Sequence, residues 1–294
     1  MNIKRRKCMA SVISIKNLTK SYGKHRGVID VSFDVNEGEI FGFLGPNGAG
    51  KSTTIRSMLG FLKFSEGEIN ILGMDSVKDH EKILRDVGYM PSEALFYPSM
   101  TVAETIKYAA DVRKMDCSEE ARKLCERLKV DTSKKIKELS LGNRKKVSII
   151  CAMQHRPKLF IFDEPTSGLD PLMQNTFFEL IKEYVEQGTT CMLSTHVLTE
   201  VSRYCDRAAI MREGHLIKVD TVDHLMETSV KNVKVTVDGK HEEYLYKGDI
   251  NDLISSLSGK RLENLSIEDP SLEDMFMHYY DQSDSTTANG EKEE

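Results

Sequence analysis

No apolar run among the 294 residues approaches the roughly eighteen needed to cross a bilayer. The longest, Val147 to Met153, is interrupted by Ser148, so the expectation is a chain that forms no membrane channel of its own. The six cysteines (Cys8, Cys117, Cys125, Cys151, Cys191 and Cys205) include no C-x-x-C pair and no cysteine–histidine spacing of a zinc site. They read as reduced thiols of a cytosolic protein. An excess of basic charge is also missing: a formal net charge of -5, spread thinly over both signs, argues against a general nucleic-acid binder. No internal repeat of solenoid length is present. The basic start, Lys4-Arg5-Arg6-Lys7, is followed by too short an apolar stretch, without a convincing cleavage site, to read as a signal peptide. Residues 1–10 are therefore expected to be a basic arm.

What is present is an ordinary globular composition, 39% hydrophobic and 30% charged, long enough for one large domain and an appendage. Val12 to Ile15, Val31 to Val35 and Glu39 to Leu44 have strand character, the first two by alternation. Ile55, Met58, Leu59 and Leu62 then fall at helical spacing. From about Pro98 the pattern is helical: Thr101 and Glu104 form a capping box, and Ala121, Leu124, Cys125 and Leu128 share a face. Leu159 to Phe162 reads as a strand buried on both faces, and Phe177, Leu180, Ile181, Tyr184 and Val185 as the stripe of the next helix. Strand, helix, strand in that order predicts a parallel sheet. Beyond about Asp220, alternating Val233, Val235 and Val237, helically spaced Ile250, Leu253, Ile254 and Leu257, and a last helix over 271–280 predict a small α/β appendage over residues 221–280. Residues 281–294 are polar, acidic and aperiodic, as expected of a disordered tail.

Gly45-Pro46-Asn47-Gly48-Ala49-Gly50-Lys51-Ser52, followed by Thr53, matches the phosphate-loop pattern and lies between a strand and a helix. Glycines let successive N–H groups curl around an anion at a helix N-terminus, Lys51 reaches the terminal phosphates, and Ser52 offers its hydroxyl to Mg²⁺. The strand Leu159 to Phe162 ends in Asp163-Glu164, two carboxylates at the sheet edge where open α/β folds bind ligands. Asp163 suits an outer contact to Mg²⁺, and Glu164 suits the orientation or deprotonation of a water attacking the γ-phosphate of ATP.

Leu139-Ser140-Leu141-Gly142-Asn143, with Ser140 lying 23 positions before Asp163, resembles the signature of ATP-binding cassette proteins. Tyr22, the segment Ser167-Gly168-Leu169-Asp170-Pro171, and His196 in Ser194-Thr195-His196 match further family elements in order, over about residues 11–220. The resemblance implies a P-loop NTPase core, a mostly parallel sheet flanked by helices, with an antiparallel β subdomain and a helical subdomain at about residues 98–155. It implies that Tyr22 stacks on adenine, that His196 holds the γ-phosphate and catalytic water, and that Ser140, Gly142 and Asp170 act across a dimer of cassettes, homodimeric or with a related subunit. It also implies a separate integral-membrane permease as partner and a place on the cytoplasmic face of the membrane. Leu272-Glu273-Asp274-Met275-Phe276 is similar to the tail of single-cassette export subunits.

Two departures stand out. Where the family has Gln, this chain has Ser92-Glu93; Ser92 is too short for that role, and Glu93 is the candidate to reach the metal through water. Leu141 and Asn143 replace the usual Gly and Gln, while Ser140 and Gly142 remain. Leu95-Phe96-Tyr97 is a candidate docking site for the membrane subunit. Two other readings are a non-transport cassette ATPase and a regulatory protein that holds ATP without turnover. The single cassette, with 88 positions from Lys51 to Leu139, disfavours the first, and Glu164 with His196 the second.

Overall fold

The computed structural model describes residues 10–23, 25–93, 95–226, 230–237 and 239–268. The remaining arm, the helix expected over 271–280, the export-like segment from Leu272 and the acidic tail lie outside the described residues.

The chain opens with strands β1 (Ser11–Tyr22), β2 (His25–Asn36) and β3 (Ile40–Leu44), then helix α1 (Lys51–Met58), strands β4 (Glu66–Ile71) and β5 (Met74–Asp75), α2 (His80–Arg85) and β6 (Val87–Met90). Three helices follow, α3 (Val102–Arg113), α4 (Ser118–Arg127) and α5 (Leu141–Met153), and then β7 (Leu159–Asp163), α6 (Pro171–Glu186), β8 (Thr190–Thr195), α7 (Leu198–Tyr204), β9 (Arg207–Arg212) and β10 (His215–Thr221). A six-stranded sheet has the order β10-β9-β3-β8-β7-β6, with β3, β6, β7, β8 and β9 parallel to their neighbours among themselves. The antiparallel strands make a second sheet, β2-β1-β4-β5. The α/β class, the parallel core and the antiparallel subdomain are as the sequence and the resemblance led us to expect.

Alternation along the parallel strands divides the interior into two cores. Phe160 and Phe162 of β7 join Ile40, Met90, Leu193 and the inner faces of α5 and α6, while Leu159 and Ile161 join Phe41, Phe43, Met192 and the α1 and antiparallel-sheet residues. Successive side chains of a strand point to opposite faces, so a strand between two cores must be apolar at every position. Leu159 to Phe162 are accordingly all apolar and buried, and buried Asp163 closes the strand. Each fully buried Phe contributes roughly 1.5–3 kcal/mol by this transfer.

Helix α1 is shorter than its apolar spacing suggests: it ends at Met58 with Leu59 as cap, and Gly60 takes a left-handed φ of 74°, so Leu62 falls outside it. The capping box of α3 forms, with both the Thr101 and the Glu104 halves present. Arg113, from the end of α3, donates to the carbonyls of Leu84 and Val87, at 2.8 and 3.1 Å, and so ties the helical segment to α2 and β6. The five cysteines among the described residues are free.

Contacts divide the chain into two compact units, the second beginning at Asp220. It contains α8 (Val222–Met226), β11 (Val230–Val237), β12 (Lys240–Lys247), α9 (Ile250–Leu257) and β13 (Leu262–Glu268), with the antiparallel sheet β12-β11-β13. Its small core is Val233, Val235, Leu253 and Leu257, so only half of the helical stripe is buried; Ile250 and Ile254 are exposed.

Candidate functional site

The phosphate loop is set by close packing at the end of β3. A side chain on Gly45 would place its Cβ 2.5 Å from the Met211 carbonyl oxygen, so only glycine lets the loop leave the sheet there. The loop and the start of α1, Pro46 to Thr53, line a cavity of about 370 Å³ together with Gly27, Ser92 and Glu164. A larger cleft of about 1130 Å³ between α3 and α4 is lined by residues such as Ile106, Ala110 and Ala121 and contains none of the phosphate-loop residues. Lys51 Nζ, almost fully buried, donates to the Gly45 and Pro46 carbonyls at 2.5 and 3.2 Å and lies 3.2 Å from Glu164 Oε1.

The acidic pair ends β7 beside β8, with Asp163 in register with Ser194. Ser194 Oγ donates to Asp163 Oδ1 at 2.6 Å and accepts from the Glu164 N–H at 3.1 Å. Glu164 has a φ of 51°, a left-handed backbone that costs a non-glycine residue on the order of 1–2 kcal/mol. This bend turns the chain off the strand as the carboxylate comes against both Lys51 and His196. His196 Nδ1 is 2.8 Å from Glu164 Oε2; a carboxylate only accepts, so Nδ1 donates and Nε2 remains for another partner. Beyond His196, buried Glu200 accepts from Thr195 Oγ1 at 2.6 Å; burial raises its carboxyl pKa against the lowering effect of the Thr166 and Thr195 hydrogen bonds.

The residues fit Mg²⁺. Asp163 Oδ2 is fully buried and has no hydrogen-bond partner, a costly state for a carboxylate oxygen that a metal or its bound water relieves. Ser52 belongs to the cavity lining. Among the described residues no cluster of three or more His, Cys, Asp or Glu side chains is suited to a metal ion. Glu93 is exposed and does not line this cavity, whereas its neighbour Ser92 does.

The other expected residues lie apart from the phosphate cavity. Ser140 is exposed and caps α5, accepting from the Asn143 N–H at 3.3 Å. Asp170 is exposed and caps α6, accepting from Met173 N–H at 3.0 Å ahead of Pro171. Gly142 packs against the Gly168 backbone. Tyr22, at the end of β1, is 42% exposed, with Lys20 Nζ 5.0 Å from its ring centroid. Each therefore has a local structural role, and each except the packed Gly142 presents its side chain at the surface.

Two contributors escaped the sequence reading. Ser194 braces both carboxylate residues, and its signal was its place two positions before His196. Lys145, in a run of three basic residues, is buried and donates to the Ser92 carbonyl at 2.7 Å. Its signal was helical period: positions 145, 148, 149 and 152 are all on the buried face of α5.

Comparison with known proteins agrees with this architecture. A family model described as ABC transporter matches residues 28–167. An uncharacterized ABC transporter ATP-binding protein, YdbJ of Bacillus subtilis (strain 168), is 34% identical over 96% of this chain and 98% of its own length. The bacitracin transport ATP-binding protein BcrA of Bacillus licheniformis is 35% identical, over 76% of this chain and 74% of its own. Among solved structures, an ATP binding subunit of an ABC transporter superposes with a TM-score of 0.68 at 32% identity, covering 73% of this chain and 92% of that one.

Proposed function

The chain belongs to the family of ABC transporter ATP-binding proteins, and on that premise we propose that it hydrolyses ATP to power export through a separate integral-membrane permease. The observation that carries this reading is Glu164, held between Lys51 at 3.2 Å and His196 at 2.8 Å on the wall of the phosphate cavity. The nucleotide phosphates would lie against the N–H groups of Gly45 to Thr53 at the α1 N-terminus, where the helix dipole adds favourable charge. Lys51 would exchange its present oxygen partners for phosphate oxygens. Ser52 and Asp163 would hold Mg²⁺, which when bound neutralises charge on the phosphates. Glu164, released from Lys51, would orient or deprotonate the attacking water, and His196 would keep its carboxylate in place while Nε2 meets the γ-phosphate. Tyr22 would stack on adenine at about 1–3 kcal/mol.

Closure of the site is assigned to a second cassette, a copy of this chain or a related subunit. Ser140, Gly142 and Asp170 would act from there, and the exposure of Ser140 and Asp170 supports this reading. We assign residues 11–220 to the cassette, with 98–155 as its helical subdomain, and 221–280 to an accessory domain. No helix among the described residues is long and apolar enough to cross a membrane, in keeping with a peripheral place on the cytoplasmic face beside the permease. Leu95, 92% exposed, and Tyr97, stacked edge-on to exposed Tyr108 at 6.2 Å, supply an apolar surface for docking. Tyr97→Asp should abolish recruitment to permease-containing membranes with folding intact; unimpaired recruitment would remove this patch from the proposal.

The central test is ATP turnover by the purified protein beside Glu164→Gln, with oligomeric state followed by light scattering. Turnover by the parent, and an inactive, ATP-trapped dimer in the variant, is the expected pair of results. Tight ATP binding without turnover in the parent, even with permease membranes added, would instead favour a regulatory binder.

A further inference from the structure

Lys145 carries a buried charge at the junction of two parts of the proposed machinery. It is 4% exposed and lies on α5, the helix that begins at the signature residues Leu141 and Gly142. Its Nζ donates at 2.7 Å to the carbonyl of Ser92, and Ser92 lines the phosphate cavity together with Glu164. Burying an ammonium is costly unless opposite charge and hydrogen-bond acceptors compensate it. Burial pulls the pKa of Lys145 down, and the negative charges of Asp163, Glu164 and Glu93, in that order of influence, oppose it. The acceptor, Ser92, and Glu164 line the cavity, and Asp163 and Glu93 are their neighbours in the chain.

We infer that Lys145 is a positioning residue for the hydrolysis proposed above: by holding the Ser92 carbonyl, it fixes the part of the cavity wall that Ser92 forms and couples it to the signature end of α5. The coupling is direct, because the ammonium is carried by α5 while its acceptor belongs to the segment leaving β6. A Ser92 side chain is too short to span from the cavity to the helix, and Lys145 spans that gap from the other side. Any displacement of the wall by bound phosphate therefore draws on the hydrogen bond to α5. The inference rests on the ATPase reading for its catalytic consequence but not for its structural one.

The experiment uses the full chain with Lys145→Met, which keeps length and apolar packing while removing charge and donor, and Lys145→Arg, which keeps both. Hydrogen exchange of residues 91–97 and ATP kinetics are measured on each. In Lys145→Met the segment should exchange at least tenfold faster and kcat should fall at least tenfold, while KM for ATP stays within threefold of the parent. Lys145→Arg should restore both to within threefold. Unchanged exchange in Lys145→Met overturns the inference whatever the kinetics do. Faster exchange with unchanged kcat overturns its catalytic half, leaving only a structural brace. A parent without turnover defeats the ATPase reading and that catalytic half with it, whereas exchange still decides whether Lys145 holds the wall. If Lys145→Met does not fold, Lys145→Gln, a shorter uncharged donor, takes its place under the same criteria.

Discussion

A Cβ built on Gly142 would stand 2.6 Å from the carbonyl oxygen of Gly168, so the start of α5 and the loop after the acidic pair are in backbone contact. Gly168 itself has a φ of 81°, a left-handed conformation that suits glycine. The signature segment and the loop leading to Asp170 thus form one surface within a single chain. Gly142→Ala must push backbone from backbone, and no flexible side chain is there to yield. Turnover should fall more than tenfold while nucleotide affinity of the monomer changes by less than threefold, because Gly142 does not line the phosphate cavity. Steady-state kinetics beside titration with a fluorescent ATP analogue would check this, and a loss of affinity would show that the loop reaches further than proposed.

His196 and Glu164 are expected to act as one unit. His196→Ala removes the partner of Glu164 Oε2 but leaves Oε1 beside Lys51. Turnover should drop by roughly 10²-fold, in line with the loss of one acid–base positioning contact. On the residual turnover that a single-turnover assay detects in a Glu164→Gln background, the same substitution should cost less than about tenfold more, since contacting residues are not additive. Equal losses in both backgrounds would argue that the two side chains work independently.

Acid should weaken the fold through His155. It is 6% exposed, its Nε2 donates to the Val87 carbonyl at 3.3 Å, and burial, with Arg113 nearby, lowers its pKa to about 4. A histidine whose folded pKa lies below its unfolded value of about 6.5 binds fewer protons when folded. Its contribution is therefore complete above about pH 6.5 and is lost as pH falls toward about 4, a span of roughly 3 kcal/mol. Urea unfolding at pH 7.5 and pH 4.5 should show His155→Gln losing about 2–3 kcal/mol less than the parent over that interval. Parallel acid curves would refute the assignment.

The helical segment is fastened to α6 by Glu120. Its Oε1 accepts from the Tyr184 hydroxyl at 2.5 Å, and its Oε2 accepts from Arg156 Nη2 at 2.6 Å. Tyr184→Phe removes one hydrogen bond to a charged group at a buried position, worth about 1.5–3 kcal/mol. Glu120→Ala should cost more, because the buried Tyr184 hydroxyl then has no acceptor. Chemical denaturation of the two variants would rank them, and the reverse order would mean that Arg156 and Tyr184 find other partners.

The motifs were readable because their chemistry is local. Eight consecutive residues contain the phosphate loop, and the apolar strand before Asp163 announced its burial on both faces. Limits of elements were less legible. Leu62 continues the apolar spacing of α1, yet Gly60 ends the helix, because a left-handed φ overrides periodicity. Strand β12 (Lys240–Lys247) escaped notice since Lys240, His241, Glu242 and Glu243 carry no alternation, and pairing with β11 alone makes it a strand.

By itself, then, the amino-acid order determined which residues could do phosphate chemistry and that a parallel sheet would present them, since backbone conformation and side-chain period act within a few residues. Tertiary structure alone decided the pairings: Glu164 with both Lys51 and His196, Ser194 beneath the acidic pair, Ser92 rather than Glu93 on the cavity wall, and Lys145 turned inward to hold it. These partners are 30 to 113 positions apart in the chain (Glu164–Ser194 30, Asp163–Ser194 31, Glu164–His196 32, Ser92–Lys145 53, Lys51–Glu164 113). Parallel strands bring their ends to one edge whatever their order in sequence, and only the closed packing between them decides which side chains meet.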